Sequence, residues 1–488
     1  MRTKTNAKTE NSRSSKKRKN STRNREFAFI AYLFLGIFVA LMGYFTYFQV
    51  FKSEDVINNS YNKRQQTFAK TTIRGPILSQ DGKVLAKTTV DKAGNETREY
   101  PYSNMFAHVI GYEDNGKAGI ESTANFNLLR SNSFVLERLV NELENKKNQG
   151  DSVVTTLDFD VQKAAYDALG PYNGAVFAID PETGKILSMV SKPDFNPNTI
   201  KKDWDSILKN QDQTSVLLNR ATQGSYTPGS TFKILTTLAY LKEHPDYRQF
   251  QYQCDGSTTT GGQTVHCYGG EVHGTVNLRE AFAESCNCAF VNMGLSLNPQ
   301  KFRKFCDSML FNSTLPIDFP YTKSSFVIDK NSSKAAIMQA SIGQEKTTVS
   351  PLHMALIAAA IANNGSLMRP YAIDHTENNT GIIVKQYKPE EYDTLLSQQQ
   401  AEILQRYMKE TVKSGTATAL QSSRYTAGGK TGSAQVSDST DDTHSWFVGY
   451  AKNHKGKKIA IAVIVEKEGN GSKYAVPIAK KVFDAYFH

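Results

Sequence analysis

The chain has few of the residues that most often mark metal or nucleotide sites. It holds five cysteines in 488 residues, Cys254, Cys267, Cys286, Cys288 and Cys306. His266 and His273 lie near them, but no CxxC or HxxxH pair is present, so no metal site is expected. An odd number of thiols cannot pair completely within one chain. No GxxxxGK[ST] stretch occurs, which excludes a phosphate loop around Lys430–Thr431. There is no solenoid-type repeat and no low-complexity tract beyond the N-terminal tail. Excess charge is confined to that tail. The net charge is +11, but residues 1–26 hold ten Lys/Arg against Glu10 and Glu26, and the remaining 462 residues carry 48 basic and 45 acidic groups. With the folded part close to neutral, a nucleic-acid partner is not expected.

Against these absences stand 39% hydrophobic and 10% aromatic residues, enough for a buried core. Only one apolar run is long. From Phe27 to Phe51 the chain reads FAFIAYLFLGIFVALMGYFTYFQVF, without a charge. As a helix at ~1.5 Å per residue it spans about 37 Å, enough for a ~30 Å bilayer core with tilt. It is longer than a signal-peptide apolar region and ends in aromatics rather than small residues, so an uncleaved anchor is expected. The positive-inside rule puts residues 1–26 in the cytoplasm and the chain beyond ~52 outside the cell membrane as a single-pass protein.

The expected organisation is a basic tail (1–26), a transmembrane anchor (27–51), a short N-terminal domain (52–150) and a larger domain (151–488). In the first exported segment, Ile77–Ala86 reads as strand, Asp81–Gly82 turn, strand, and Tyr112–Glu121 as a similar unit. Residues 124–149 have helical spacing. Beyond 150, Ser152–Leu157, Gly174–Ile179, Ile186–Val190, Trp446–Tyr450 and Ile459–Val465 read as strands, and Asp160–Leu169 and Ala475–Tyr486 as helices. Early and late strands around a helical middle predict an α/β (α+β) sheet built from both ends of the domain. Cys254 and Cys267 bracket a Gly/Thr-rich stretch that reads as a hairpin. A disulfide closing it is expected under oxidising conditions, contributing ~3 kcal/mol.

Three short motifs carry chemistry. In the first, Ser230–Thr231–Phe232–Lys233, a helix over 230–241 puts Ser230 and Lys233 one turn apart, with Ser230 near the positive helix start behind Pro228–Gly229. A buried, neutral Lys233 is then able to take the Ser230 proton. In the second, Ser285–Cys286–Asn287, both Ser285 and Asn287 reach one cleft only from a loop or helix end; Ser285 suits proton relay, and the Asn287 amide suits a substrate amide. In the third, Lys430–Thr431–Gly432–Ser433, an edge strand entered through Gly428–Gly429 sets Thr431 and Ser433 on one face to grip a carboxylate. Gly432 lets a substrate backbone lie close, the N–H groups of Ser433 and Ser230 suit an oxyanion hole, and strict alternation points Lys430 away from Thr431. Singly these patterns are weak: S-x-x-K also occurs at Ser14–Lys17, Ser60–Lys63 and Ser206–Lys209, and S-x-N at Ser60–Asn62 and Ser296–Asn298.

Their order, S-x-x-K, S-x-N, K-T-G, is far more specific. The chain resembles the class B penicillin-binding proteins, monofunctional peptidoglycan D,D-transpeptidases. Arg74–Gly75–Pro76–Ile77, Ala178–Gly184, Asn219–Arg220–Ala221 with Tyr226–Ser230, Ile342–Gly343–Gln344 with Ser350–Ala355, Ser414–Ala417 and Trp446–Tyr450 extend the likeness over residues 70–488. The resemblance implies a penicillin-binding/β-lactamase-like transpeptidase fold behind a small pedestal domain. It implies Ser230, Lys233, Ser285, Asn287 and Lys430 as catalytic residues, Thr431, Gly432 and Ser433 as substrate-binding residues, and no cofactor. It also implies D-Ala–D-Ala stem peptides and β-lactams as ligands, and a membrane glycosyltransferase as partner. Two departures are a pedestal of only about 100 residues, with no room for a glycosyltransferase domain, and Ser433 where a second Thr is common. A D,D-carboxypeptidase, a β-lactamase or antibiotic sensor, and a non-catalytic scaffold of the cell-wall machinery are the alternatives.

Overall fold

The computed structural model describes residues 8–49, 64–435 and 443–488. The chain divides into two units, Met1–Lys63 and Arg64–His488. In the first, one helix runs from Lys8 to Tyr47, and its stretch Arg25–Tyr47 is long and apolar enough to cross a membrane. The expected end of the anchor at 50–51 and residues 52–63 lie outside the described residues.

In the second unit, the sheet expected from both ends of the domain is present. Five antiparallel strands lie in the order Tyr425–Gln435, Thr443–Asn453, Lys458–Val465, Gly174–Ile179, Ile186–Lys192. Both faces are covered, which is why the inner strands are apolar without alternation. Val176 and Ala178 with Ile459, Ile461 and Val463 pack beneath helices Phe159–Leu169 and Ala475–Tyr486. Ala175, Phe177 and Ile179 with Ala460, Ala462 and Ile464 face the helical middle. There the helix Pro351–Ala362 is buried at every position, as an apolar helix inside a domain must be. Ser350 caps its start, accepting from the His353 N–H at 3.2 Å.

A second, six-stranded sheet orders Ile383–Gln386, Ile373–Glu377, Ser152–Thr155, Ile77–Leu78, Val84–Val90 and Glu96–Glu99. Ser152–Thr155 pairs parallel with Ile77–Leu78 and antiparallel with Ile373–Glu377. The Asp81–Gly82 turn forms as expected, with Gly82 at φ +80°. Tyr112–Glu121 does not form a strand unit. Gly111, Asn115, Gly116, Lys117 and Gly119 all have positive φ, a backbone that cannot pair as strand, and Gly119–Thr123 is a helical turn.

That turn carries Glu121, which is fully buried between two cations. Arg74 Nε donates to it at 2.6 Å and Arg98 Nε at 2.8 Å; Arg74 also donates to the Glu121 carbonyl at 2.7 Å and to Asn125 Oδ1. Next to Arg74, Gly75 lies under the Asp151 carbonyl, where a Cβ would come within 2.0 Å. The Arg-Gly-Pro run is thus a buried ion-pair anchor followed by a close backbone crossing. Burial raises the Glu121 carboxyl pKa, but the two guanidiniums outweigh it and hold the group below its ordinary value. Its stabilising contribution is therefore complete above the ordinary carboxylate range and lost as pH falls through the folded value. We expect Glu121→Ala, which leaves two buried guanidiniums uncompensated, to cost about 3–5 kcal/mol, and Glu121→Gln to flatten the acid limb of the stability profile. Denaturant unfolding at several pH values reads both, and an unchanged midpoint in Glu121→Ala would contradict this account.

Candidate active site

Ser230 sits in a tight turn, not inside a regular helix. Gly229–Phe232 is one 3-10 turn that passes into the α-helix Lys233–Glu243, so the expected helix over 230–241 begins with a tighter turn and runs slightly further. Gly229 has φ +53°, and a Cβ there would come within 2.9 Å of both Ala434 Cβ and the Ser433 carbonyl. Its N–H donates to the Gly343 carbonyl at 3.0 Å. Trp446, fully buried, donates from Nε1 to the Thr227 carbonyl at 3.1 Å and ties the sheet to the segment before Ser230. Ser230 itself is only half-buried, and its hydroxyl has no hydrogen-bond partner among the described residues.

One turn on, Lys233 is wholly buried. Its Nζ donates to the Ser285 carbonyl at 2.6 Å, the Ser285 hydroxyl at 3.1 Å and Asn287 Oδ1 at 2.6 Å. The first two motifs therefore meet at one ammonium. Ser285 and Asn287 do come from a helix end, as their spacing requires. The helix Leu278–Ala283 stops, Ser285 takes φ +61°, and Asn287 begins the next helix, Asn287–Ser296. Asn287 differs from expectation. Its Oδ1 is taken by Lys233 and its Nδ2 donates to the His266 carbonyl at 2.9 Å, so both ends of the amide are used inside the protein. Burial pushes the Lys233 pKa down to about 8, against the opposing pull of the thiols of Cys286, Cys267 and Cys288.

The third motif lies on the edge strand Tyr425–Gln435, which starts before Gly428–Gly429 and runs through them. Lys430 is buried with Nζ 3.2 Å from the Thr431 carbonyl. Burial first, and repulsion from Lys233 second, hold its pKa well below the usual lysine value. The Thr431 hydroxyl is paired with that of Thr416 at 2.5 Å, and Ser433 is half-buried. Gly432 has a reason beyond substrate access: a Cβ there would come within 3.0 Å of Thr231 Cγ2 and 3.2 Å of the Pro228 carbonyl. The strand can lie against the Ser230 turn only because both sides carry glycine. Thr416 was visible in the Ser414–Ala417 run, but nothing in sequence assigned it a contact. The other matches among described residues, Ser206–Lys209 and Ser296–Asn298, present exposed serines. A separate cavity of about 770 Å³, with Tyr247, Arg279, Arg406 and Lys413 in its wall, includes none of the motif residues.

Cys254, Cys267, Cys286 and Cys288 lie close together in space. The hairpin between Cys254 and Cys267 forms, Ser257–Thr260 pairing with Gln263–His266. The two sulfurs stand 3.6 Å apart without a bond, and all five thiols are free and buried. Cys254, Cys267, His273 and Cys286 instead gather donor atoms within 4.8 Å of one another. The spacing argument against a metal site misses this arrangement because the donors come from separate segments.

Comparison with known proteins agrees with the geometry. The family model for the penicillin-binding protein transpeptidase domain matches residues 174–484, and that for the penicillin-binding protein A dimerisation domain matches residues 74–153. Peptidoglycan D,D-transpeptidase PbpA of Mycolicibacterium smegmatis is 30% identical over 494 residues, covering 93% of this chain and 97% of that protein. Among solved structures, penicillin-binding protein A of M. tuberculosis as a ceftriaxone acyl-enzyme aligns with TM-score 0.78 at 28% identity, over 87% of this chain and 100% of that one. The D,D-transpeptidase domain of an Eggerthella lenta peptidoglycan glycosyltransferase gives TM-score 0.76 at 28% identity, over 85% and 98%.

A lysine with a pKa near 8 is a base only in its neutral form, so acylation of the chain by penicillin G should rise with pH. About a tenfold gain between pH 7 and 9 is expected, followed by a plateau. Stopped-flow acylation across that range tests it; a rate that still climbs beyond pH 10, or does not change, removes the Lys233 assignment.

Proposed function

The chain belongs to the penicillin-binding protein transpeptidase family and is a serine D,D-transpeptidase of peptidoglycan synthesis that β-lactams acylate; from its geometry we propose that Ser230 is the nucleophile and Lys233 its base. The observation that carries the assignment is the Lys233 ammonium, buried one turn from Ser230 and bonded to Ser285 and Asn287 together. A neutral amine keeps two N–H donors and gains a lone pair. It can hold the two 2.6 Å bonds, to the Ser285 carbonyl and Asn287, while the lone pair takes the proton from Ser230.

The reaction balances as acyl transfer. Ser230 Oγ bonds to the carbonyl carbon of the penultimate D-Ala, and its proton passes to Lys233. The peptide C–N bond breaks, and the terminal D-Ala leaves with a proton relayed through Ser285 and Lys430. A neighbouring stem-peptide amine then attacks the ester, restores the Ser230 hydroxyl and leaves the cross-link. In a β-lactam the leaving nitrogen stays tethered to the acyl group, so the ester persists. Backbone N–H groups of Ser230 and Ser433 are the oxyanion donors, and Thr431 and Ser433 receive the substrate carboxylate, with Thr416 releasing Thr431 to do so.

Ten basic residues before the apolar helix support a cytoplasmic N-terminus and an extracytoplasmic catalytic domain. A membrane glycosyltransferase supplies the glycan strand that the enzyme cross-links. Penicillin G should leave one covalent adduct, at Ser230, in intact-mass spectra of the full-length protein. Ser230→Ala should abolish it, and an adduct that survives would move the nucleophile elsewhere. With a stem-peptide donor and an added amine, the amine should appear in the product; release of D-Ala alone, in membranes as well as in detergent, would make the enzyme a carboxypeptidase.

A further inference from the structure

Cys286 stands between the two catalytic members of the S-x-N motif, and its side chain turns away from them into a buried cluster. Cys267 Sγ lies 3.6 Å from Cys254 Sγ and 3.8 Å from Cys286 Sγ, and Cys254 Sγ lies 3.5 Å from His273 Nδ1. Zinc bonds of ~2.3 Å to sulfur and ~2.0–2.1 Å to nitrogen give tetrahedral edges of about 3.8 Å between sulfurs and about 3.6 Å from sulfur to nitrogen. The three distances fall on those edges. An imidazole nitrogen completes the set of four donors. Backbone N–H groups also point at the sulfurs. The N–H groups of His273 and Gly256 point to Cys254, that of Cys288 to Cys267, and that of Ala289 to Cys286. On the other side of the ring, His273 Nε2 is buried without a hydrogen-bond partner, 3.7 Å from a Glu271 carboxylate oxygen.

We propose that Cys254, Cys267, His273 and Cys286 hold one zinc ion in a closed tetrahedral site. Three thiolates and an imidazole favour zinc over magnesium or calcium. Binding releases the three thiol protons to solvent and leaves the metal centre with a net charge of −1. No ligand position is left for substrate, so the ion is structural. It joins the strand end at Cys254, the hairpin end at Cys267, the segment before Gly274 and the turn at Cys286. Because Ser285 and Asn287 flank Cys286, and Asn287 is also bonded to the carbonyl just before Cys267, the ion positions the S-x-N turn against Lys233. Cys288, 3.4 Å from Cys267, stands outside the four donors, and Cys306 has no part in the cluster.

The test uses the full-length protein purified in detergent, under reducing conditions and without chelator. Elemental analysis should find about one zinc per chain, and cobalt(II) exchange should give the intense visible bands of a tetrahedral ion with a near-ultraviolet thiolate charge-transfer band. Cys267→Ser and His273→Gln should each lose bound metal by tenfold or more, while Cys306→Ser keeps it. If Cys267→Ser fails to fold, the histidine variant and the cobalt spectrum still decide. Metal-free protein that gives no cobalt spectrum overturns the site, as does a mass lower by two hydrogens from a Cys254–Cys267 disulfide. The positioning role rests on acylation at Ser230. Removing zinc should slow penicillin acylation tenfold or more and lower the melting temperature, and an unchanged rate overturns that role alone. Zinc-loaded protein that never acylates refutes the proposed function and leaves the metal site standing.

Discussion

Two buried ammonium groups, Lys233 and Lys430, set the terms for the rest of the site. Among the described residues no carboxylate pairs with either. Each is held by oxygen acceptors and lies near an aromatic ring, Phe290 at 5.2 Å from Lys233 and Phe282 at 5.8 Å from Lys430. An ion pair would have compensated the burial and kept both lysines charged. Carbonyl, hydroxyl and amide oxygens compensate it only in part, and each lysine also disfavours the other's charge. What results is a pair of amines held below the usual lysine range, Lys233 at about 8 and Lys430 by burial and its neighbour's charge, which suits the proton transfer proposed for Ser230.

Keeping two lysines in that setting requires backbones to approach more closely than side chains normally allow. The edge strand and the Ser230 turn meet through Gly229 and Gly432, and Gly343 covers the turn from the other side with φ +74°. Ser285 accepts a left-handed conformation without being glycine, a local strain sustained by the Lys233 bonds on one side and the cysteine cluster on the other. The S-x-N turn is thus held by polar contacts rather than by apolar packing of its own side chains. In the remote part of the second unit the same economy appears at Arg74, Arg98 and Glu121, where one carboxylate organises the crossing of the chain at Gly75 and Asp151.

Much of the architecture was legible because apolar runs and turn residues are local signals. Gly174–Ile179 and Ala475–Tyr486 appear in the structure with the limits the pattern predicts, and the strand read as Ile459–Val465 starts one residue earlier, at Lys458. Tyr112–Glu121 was misread for the converse reason. Its glycines and asparagine signal turns in either a hairpin or a helical connection, and only the buried pairing of Glu121 with two distant arginines selects the helical one.

The motif order by itself determined the chemistry: a serine, its lysine, a second serine with an asparagine and a lysine-bearing strand are a covalent code that survives any view of the fold. Tertiary structure decided what each group is doing while it waits. It sends both ends of the Asn287 amide into the protein, pairs Thr431 with Thr416, turns Lys430 inward beside Lys233, and sets four donors from separate segments around one point where sequence offered a disulfide. Residue type and spacing along the chain specify which reactions are available. Burial and close contact between segments far apart in sequence set protonation and hydrogen bonding, and those depend on distances that no local pattern encodes.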